Sequence, residues 1–295
     1  MLFKGSGVAL VTPFNDDLSI NYNKLKELIE FQIKSNSDAI IICGTTGESS
    51  TLSFDEFKEI VKFTVDEVDR RIPVIVGTGS NSTDIAIKKS KFANNIGADG
   101  ILVVTPYYNK CNEEGVIKHY TKIADNVDIP IILYNVPSRT GYNLSPEIVL
   151  KLSKHKNICG IKEASGNISQ VAKLASILPS NFYIYSGNDD QILPVLSLGG
   201  KGVISVLANI FPNKVHDMCY SFFNKEFEKA LNLQLKYLEL INSLFIETNP
   251  IPVKDAMNYL KIDVGGLRLP LSNISSDNFE ILKKSIDKFK KPLII

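Results

Sequence analysis

Eight short runs rich in Val, Ile and Leu recur along the 295-residue chain. They cover residues 7–11, 39–43, 74–76, 100–104, 130–134, 158–162, 182–185 and 202–206, with starts 20 to 35 residues apart. Between most of them the apolar positions change to a helical period, as in Lys24-Leu25-Lys26-Glu27-Leu28-Ile29-Glu30-Phe31-Gln32. Continuously apolar strands alternating with amphipathic helices describe a parallel sheet covered by helices. Eight such units in about 220 residues predict a (β/α)8 TIM barrel, an α/β fold. A doubly wound open sheet is the alternative. No Gly-x-Gly-x-x-Gly follows the first strand, and Gly77-Thr78-Gly79-Ser80 after the third lacks the third glycine a dinucleotide site would need.

After about residue 212 the strand pattern stops. Residues 225–245 read as a long amphipathic helix. Asn249-Pro250-Ile251-Pro252 breaks it before a second helix near 253–260, and a third is expected after the capping cluster Ser275-Ser276-Asp277. This divides the chain into a barrel carrying the active site, residues 1–222, and a C-terminal helical region, residues 223–295, packed on it.

Each apolar run gives way to small, polar or aromatic residues, among them Gly44-Thr45-Thr46-Gly47-Glu48, Thr105-Pro106-Tyr107-Tyr108, Asn135-Val136-Pro137-Ser138-Arg139 and Ser186-Gly187-Asn188-Asp189. In a barrel these ends gather on the C-terminal face, where barrel active sites lie. Lys162 closes the sixth run, Ile158-Cys159-Gly160-Ile161-Lys162. An ammonium at the end of a buried strand is costly, and the usual escape is a lowered pKa that leaves a neutral amine, a nucleophile toward ketones. The competing expectation is a lysine reaching water and paired with Glu163.

Composition removes other classes. Thirty-three Lys and Arg against 32 Asp and Glu leave a formal charge of +1, with no basic footprint for nucleic acid or an anionic membrane. The densest cationic clusters, Lys88-Lys89-Ser90-Lys91 and Lys288-Phe289-Lys290-Lys291, are expected to be solvated helix faces. Cys43, Cys111, Cys159 and Cys219 lack metal-ligand spacing and the three histidines are scattered, so no metal site is expected. Nothing approaches about 20 consecutive apolar residues, and no signal-peptide stretch precedes the first strand; a cytoplasmic protein is expected.

The segment Gly44-Thr45-Thr46-Gly47-Glu48-Ser49 ends the second strand and is expected to open the following helix. Its hydroxyls and N–H groups suit a carboxylate or a phosphate, or it is a simple tight turn. Asp189-Asp190 after the seventh strand would repel a phosphate there, which favours a carboxylate. Tyr134 ends the strand before that of Lys162, and a phenol beside an amine can shuttle the protons that imine formation requires. Arg139 stands out because the only other arginines are Arg70, Arg71 and Arg268. On the active face it fits a bidentate carboxylate contact.

These segments, with Tyr134-Asn135-Val136-Pro137-Ser138-Arg139-Thr140-Gly141, Gly160-Ile161-Lys162-Glu163-Ala164-Ser165 and Asn249-Pro250-Ile251-Pro252-Val253-Lys254, carry a resemblance over essentially the full length. The chain resembles the dihydrodipicolinate synthase (4-hydroxy-tetrahydrodipicolinate synthase) family of pyruvate-dependent class I aldolase-like barrels. The resemblance implies a lyase of lysine and diaminopimelate biosynthesis. Such an enzyme condenses pyruvate with L-aspartate 4-semialdehyde through a lysine Schiff base, with no metal or organic cofactor. It implies Lys162 as the Schiff-base residue and Tyr134 as general acid and base, linked to a relay through Thr45 and Tyr108. Tyr108 would reach a neighbouring subunit's site, in a homotetramer that is a dimer of dimers. Thr46 would hold the pyruvate carboxylate, with Ile204 lining that pocket through its backbone. Arg139 would bind the aldehyde's carboxylate, and the Gly187 backbone would orient that substrate.

Lysine-inhibited relatives carry histidine and glutamate where this chain has Phe54 and Ile85; Phe57 is apolar as well, so weak or absent lysine inhibition is expected. Two rival readings stand beside the synthase. An N-acetylneuraminate or keto-deoxy-sugar lyase would use Lys162 and Tyr134 alike but gives no reason for Arg139. A non-catalytic barrel binding a small acid would have no need of the lysine and tyrosine together.

Overall fold

The computed structural model describes residues 1–289. The eight apolar runs form eight parallel strands in sequential order: β1 Gly5–Ala9, β2 Ala39–Ile42, β3 Val74–Gly77, β4 Gly100–Val104, β5 Ile131–Asn135, β6 Ile158–Glu163, β7 Tyr183–Ser186 and β8 Gly202–Ser205. β8 pairs back onto β1, with Gly7 opposite Ile204, so the sheet is a closed barrel and the open doubly wound alternative is excluded. The expected limits move by at most two residues; β1, read from residue 7, begins at Gly5, and β7, read from 182, begins at Tyr183.

Side chains alternate across a strand, and here the alternation separates two apolar cores. Val8, Ile40, Val76, Ile101, Leu133, Ile161, Ile184 and Val203 point outward under the helices. Ala9, Ile41, Ile75, Leu102, Ile132, Tyr134, Tyr185 and Ile204 fill the barrel. Both strand faces are therefore dry, which is why the runs read as continuous rather than alternating. The stretch 24–32 lies within the helix Tyr22–Lys34, which is capped by the Asn21 side chain accepting from the Lys24 N–H and buries Leu25, Leu28, Ile29 and Phe31.

The C-terminal helices are Phe227–Ser243, Ile251–Tyr259 and Ser276–Asp287. Ser275 takes the capping position of the last one, but its hydroxyl makes no cap bond. It donates instead to Glu247 Oε1 at 2.7 Å, tying this helix to the segment that follows Phe227–Ser243. The cluster at 88–91 is not simply a solvated face: Lys88 lies 4.2 Å from the Phe54 ring centroid and Lys89 5.1 Å from that of Phe57. Lys290 and Lys291 of the second cluster lie outside the described residues. None of the described helices is long and apolar enough to cross a membrane.

Candidate active site

Gly160 and Lys162 share one face of β6, and Ala164, which follows the strand in the same alternation, belongs to the inner core, so Lys162 points into the barrel. Glu163 faces the other way. Its carboxylate accepts from Asn135 Nδ2 at 3.0 and 3.1 Å, from the Ser165 N–H at 2.7 Å and from Gln170 Nε2 at 3.1 Å. The expected alternative of a Lys162–Glu163 pair is thus overturned, because adjacent residues of a strand face opposite sides.

Lys162 is 6% exposed, and among the described residues none lies at ion-pair or hydrogen-bond distance from its amine, although the buried Asp189 carboxylate feels its charge. Its Nζ lies 4.5 Å from the ring centroid of Tyr134, its partner in the β5–β6 register. A buried amine with a phenol at its side and no hydrogen-bond partner is free to meet a ligand in the barrel mouth. Gly187 leaves room for it. A Cβ there would stand 2.5 Å from that of Ala164 and 3.1 Å from Lys162 Cε, so any side chain would press on the amine's stem.

The two residues open into a cavity of about 670 Å³ at the C-terminal face, shared with Thr45, Thr46, Arg139 and Gly187. The segment 44–49 does not open a helix as expected. The next helix starts at Phe54, because Ser53 and Glu56 form a complete capping box there. Residues 44–51 instead form a run of turns, with Cys43 and Glu48 at positive φ of 51° and 53°. In that conformation the N–H groups of Thr45 and Thr46 have no partner among the described residues, and both residues line the cavity. Unpaired N–H groups beside hydroxyls form a concave anion site without a helix. Arg139, on the short helix Pro137–Thr140, donates Nη2 to the Asn249 carbonyl at 2.8 Å and lines the cavity.

Two expected residues do not line the cavity of their own chain. Ile204 is fully buried in the inner core, and Val206 two positions on lines the cavity. Tyr108 stands on the rim, 92% exposed and at a positive φ of 70°, outside the cavity of its own chain. At Gly187 the N–H donates to the Glu163 carbonyl at 2.8 Å, so only the carbonyl remains for a ligand.

Sequence reasoning missed the wall supplied by Phe245, Ile246, Glu247, Thr248 and Asn249. Asn249 Nδ2 donates to Thr46 Oγ1 at 2.9 Å. Five residues on, Lys254 Nζ meets Glu48 Oε1 at 2.8 Å, with both side chains out of solvent. Burial pushes the lysine's pKa down while the glutamate opposes that shift. The break at 249–252 was the signal: two prolines at the start of the helix Ile251–Tyr259, with a lysine buried in its first turn, are unusual for a mere connector.

The comparisons with known proteins agree on one family. The model of the "Dihydrodipicolinate synthetase family" matches residues 2–289. The chain is similar to 4-hydroxy-tetrahydrodipicolinate synthase 1 of Clostridium acetobutylicum, 58% identical over 97% of each chain. It is similar to the 4-hydroxy-tetrahydrodipicolinate synthase of Clostridium tetani, 57% identical over 97% of each. Among solved structures, dihydrodipicolinate synthase from Aquifex aeolicus superposes with a TM-score of 0.96 at 42% identity, covering 99% of both chains.

Proposed function

Since the chain belongs to the dihydrodipicolinate synthetase family, we infer that it is a 4-hydroxy-tetrahydrodipicolinate synthase, a carbon–carbon lyase of lysine and diaminopimelate biosynthesis whose substrates are pyruvate and L-aspartate 4-semialdehyde. The observation that carries the assignment of roles is a buried Lys162, with no carboxylate at ion-pair distance, between two separate anion sites. Thr45 and Thr46 make one and Arg139 the other, all on one cavity. Each substrate brings one carboxylate.

In this reading the lone pair of Lys162 Nζ adds to the pyruvate keto carbon. Tyr134 moves protons to and from the carbinolamine oxygen, water leaves, and an imine remains. The imine draws electrons from the adjacent methyl group, which loses a proton to give an enamine. The enamine carbon bonds to the aldehyde carbon, whose oxygen takes a proton. The substrate's own amine then adds to the imine carbon and expels Lys162 Nζ, closing the ring. One water is released overall, and the lysine is regenerated. The Thr46 hydroxyl and the free N–H groups hold the pyruvate carboxylate, the guanidinium holds that of the aldehyde, and the Gly187 carbonyl accepts from the aldehyde substrate. Thr45 links Tyr134 toward Tyr108 of a second copy, so exposure of Tyr108 is accounted for by a homotetramer in which it completes the neighbour's relay, with the backbone at Ile204 supporting the floor of the pocket. Both substrates are small water-soluble acids, in keeping with a cytoplasmic enzyme.

Steady-state turnover of pyruvate with aspartate semialdehyde, against N-acetylmannosamine as the alternative aldehyde, tests the assignment. Turnover of the first alone is expected. Turnover of the sugar at a comparable kcat/KM would favour the sugar-lyase reading.

A further inference from the structure

One residue of the C-terminal segment touches both anion sites. Asn249 is 5% exposed; its Nδ2 donates to Thr46 Oγ1 at 2.9 Å and its main-chain carbonyl accepts from Arg139 Nη2 at 2.8 Å. A threonine hydroxyl carries a single proton and two acceptor positions. With the amide occupying an acceptor position, the proton of Thr46 is left for another acceptor, and among the described residues none is bonded to it. Thr46 itself lines the cavity. The opposite orientation of the amide would present Oδ1 to Thr46 and consume the proton. In the orientation observed, Oδ1 is itself buried and without a partner. Buried acceptors are seldom left so, and here the unpaired oxygen accompanies an arrangement that keeps the threonine a donor toward the cavity.

The segment is also anchored for this purpose. Lys254, on the helix Ile251–Tyr259, binds Glu48, which lies two residues from Thr46 in the same run of turns. The loop and the segment are thus pinned together at two points, 249 to 46 and 254 to 48.

We propose that Asn249 is a positioning residue that holds the two carboxylate sites in register. Its side-chain amide sets the Thr46 hydroxyl as a donor to the keto-acid carboxylate, and its carbonyl fixes the Arg139 guanidinium for the second carboxylate. This rests on the reaction inferred above. Because side-chain substitution leaves the carbonyl in place, the two halves of the role separate.

The test is the pyruvate concentration dependence of borohydride trapping on Lys162, together with steady-state KM values, in wild type, N249A, N249D, T46V and N249A/T46V. N249A is expected to raise the half-saturating pyruvate concentration roughly five- to tenfold, with KM for the aldehyde within about twofold because the carbonyl contact survives. N249D should do worse, roughly a hundredfold, since a carboxylate would take the Thr46 proton and repel the substrate anion. In the T46V background N249A should add nothing further for pyruvate. If N249A does not accumulate as folded protein, N249S and N249S/T46V carry the same comparison. Half-saturation unchanged in N249A, or its full effect persisting in T46V, overturns the proposal. Absence of any pyruvate adduct in wild type would instead overturn the reaction itself.

Discussion

Replacing Lys254 by methionine perturbs the link between the C-terminal region and the barrel without emptying its space. Methionine keeps the length and most of the volume of the aliphatic stem but loses the ammonium that sits 4.2 Å from the Phe14 ring centroid. What disappears is the cation 2.8 Å from Glu48 Oε1 and a 2.5 Å hydrogen bond to the Gly266 carbonyl. Glu48 keeps a single strong partner, the Arg268 N–H at 3.0 Å on Oε2, and its side chain is fully shielded from water. Removing one member of such a pair leaves an uncompensated buried charge, at a cost of about 3–5 kcal/mol. For a chain of this size roughly 2 °C of Tm accompanies each kcal/mol, so K254M should melt roughly 6–10 °C lower. The double variant E48Q/K254M removes the stranded charge and retains an acceptor for Arg268, so it should recover most of the loss. Circular dichroism melts at fixed protein concentration and pH would measure this. A drop under about 2 °C for K254M, or a double variant that melts lower still, would refute the reasoning.

R139A should lower kcat/KM for aspartate semialdehyde about a hundredfold or more through loss of a charge-assisted carboxylate contact, while pyruvate trapping stays near wild type; equal loss of both would count against the role given to Arg139. His216 Nδ1 lies 3.0 Å from Asp38 Oδ2, and that bond raises its pKa above the ordinary 6.5. A raised folded-state pKa stabilises fully below the unfolded value and the stabilisation fades as pH rises through the folded one. The Tm difference between wild type and H216Q should accordingly be largest near about pH 5.5–6 and shrink on the alkaline side, and a difference that grows with pH would contradict this. Free lysine at sub-millimolar concentration should leave the rate unchanged, because Lys88 and Lys89 already cover Phe54 and Phe57, and the half-exposed Ile85 offers no carboxylate; clear inhibition in a steady-state assay would show otherwise.

The barrel and the pairing of Lys162 with Tyr134 were legible because their causes are local. Parallel strands buried on both faces must be apolar throughout, and the strand ends must lie together once the sheet closes. The two-residue period of β6 even decides between the competing expectations for Lys162, since Ile161 and Glu163 face the helices when Gly160, Lys162 and Ala164 face the barrel. The contribution of the C-terminal segment was not legible. Its bonds join residues 110, 203 and 206 positions apart, Arg139 to Asn249, Thr46 to Asn249 and Glu48 to Lys254, and no local period reports such contacts. The 44–49 segment misled in the opposite sense. Glycines and hydroxyls after a strand are what a helix start often looks like, but the stronger capping box at Ser53 and Glu56 claimed the helix.

The central claim is that Lys162 forms the imine. Incubation with pyruvate and borohydride, followed by peptide mass spectrometry, tests it directly. The account predicts one adduct, of pyruvate less water plus two hydrogens, on the peptide bearing Lys162, and none in K162A. No adduct, or an adduct on another lysine that persists in K162A with turnover intact, would contradict it.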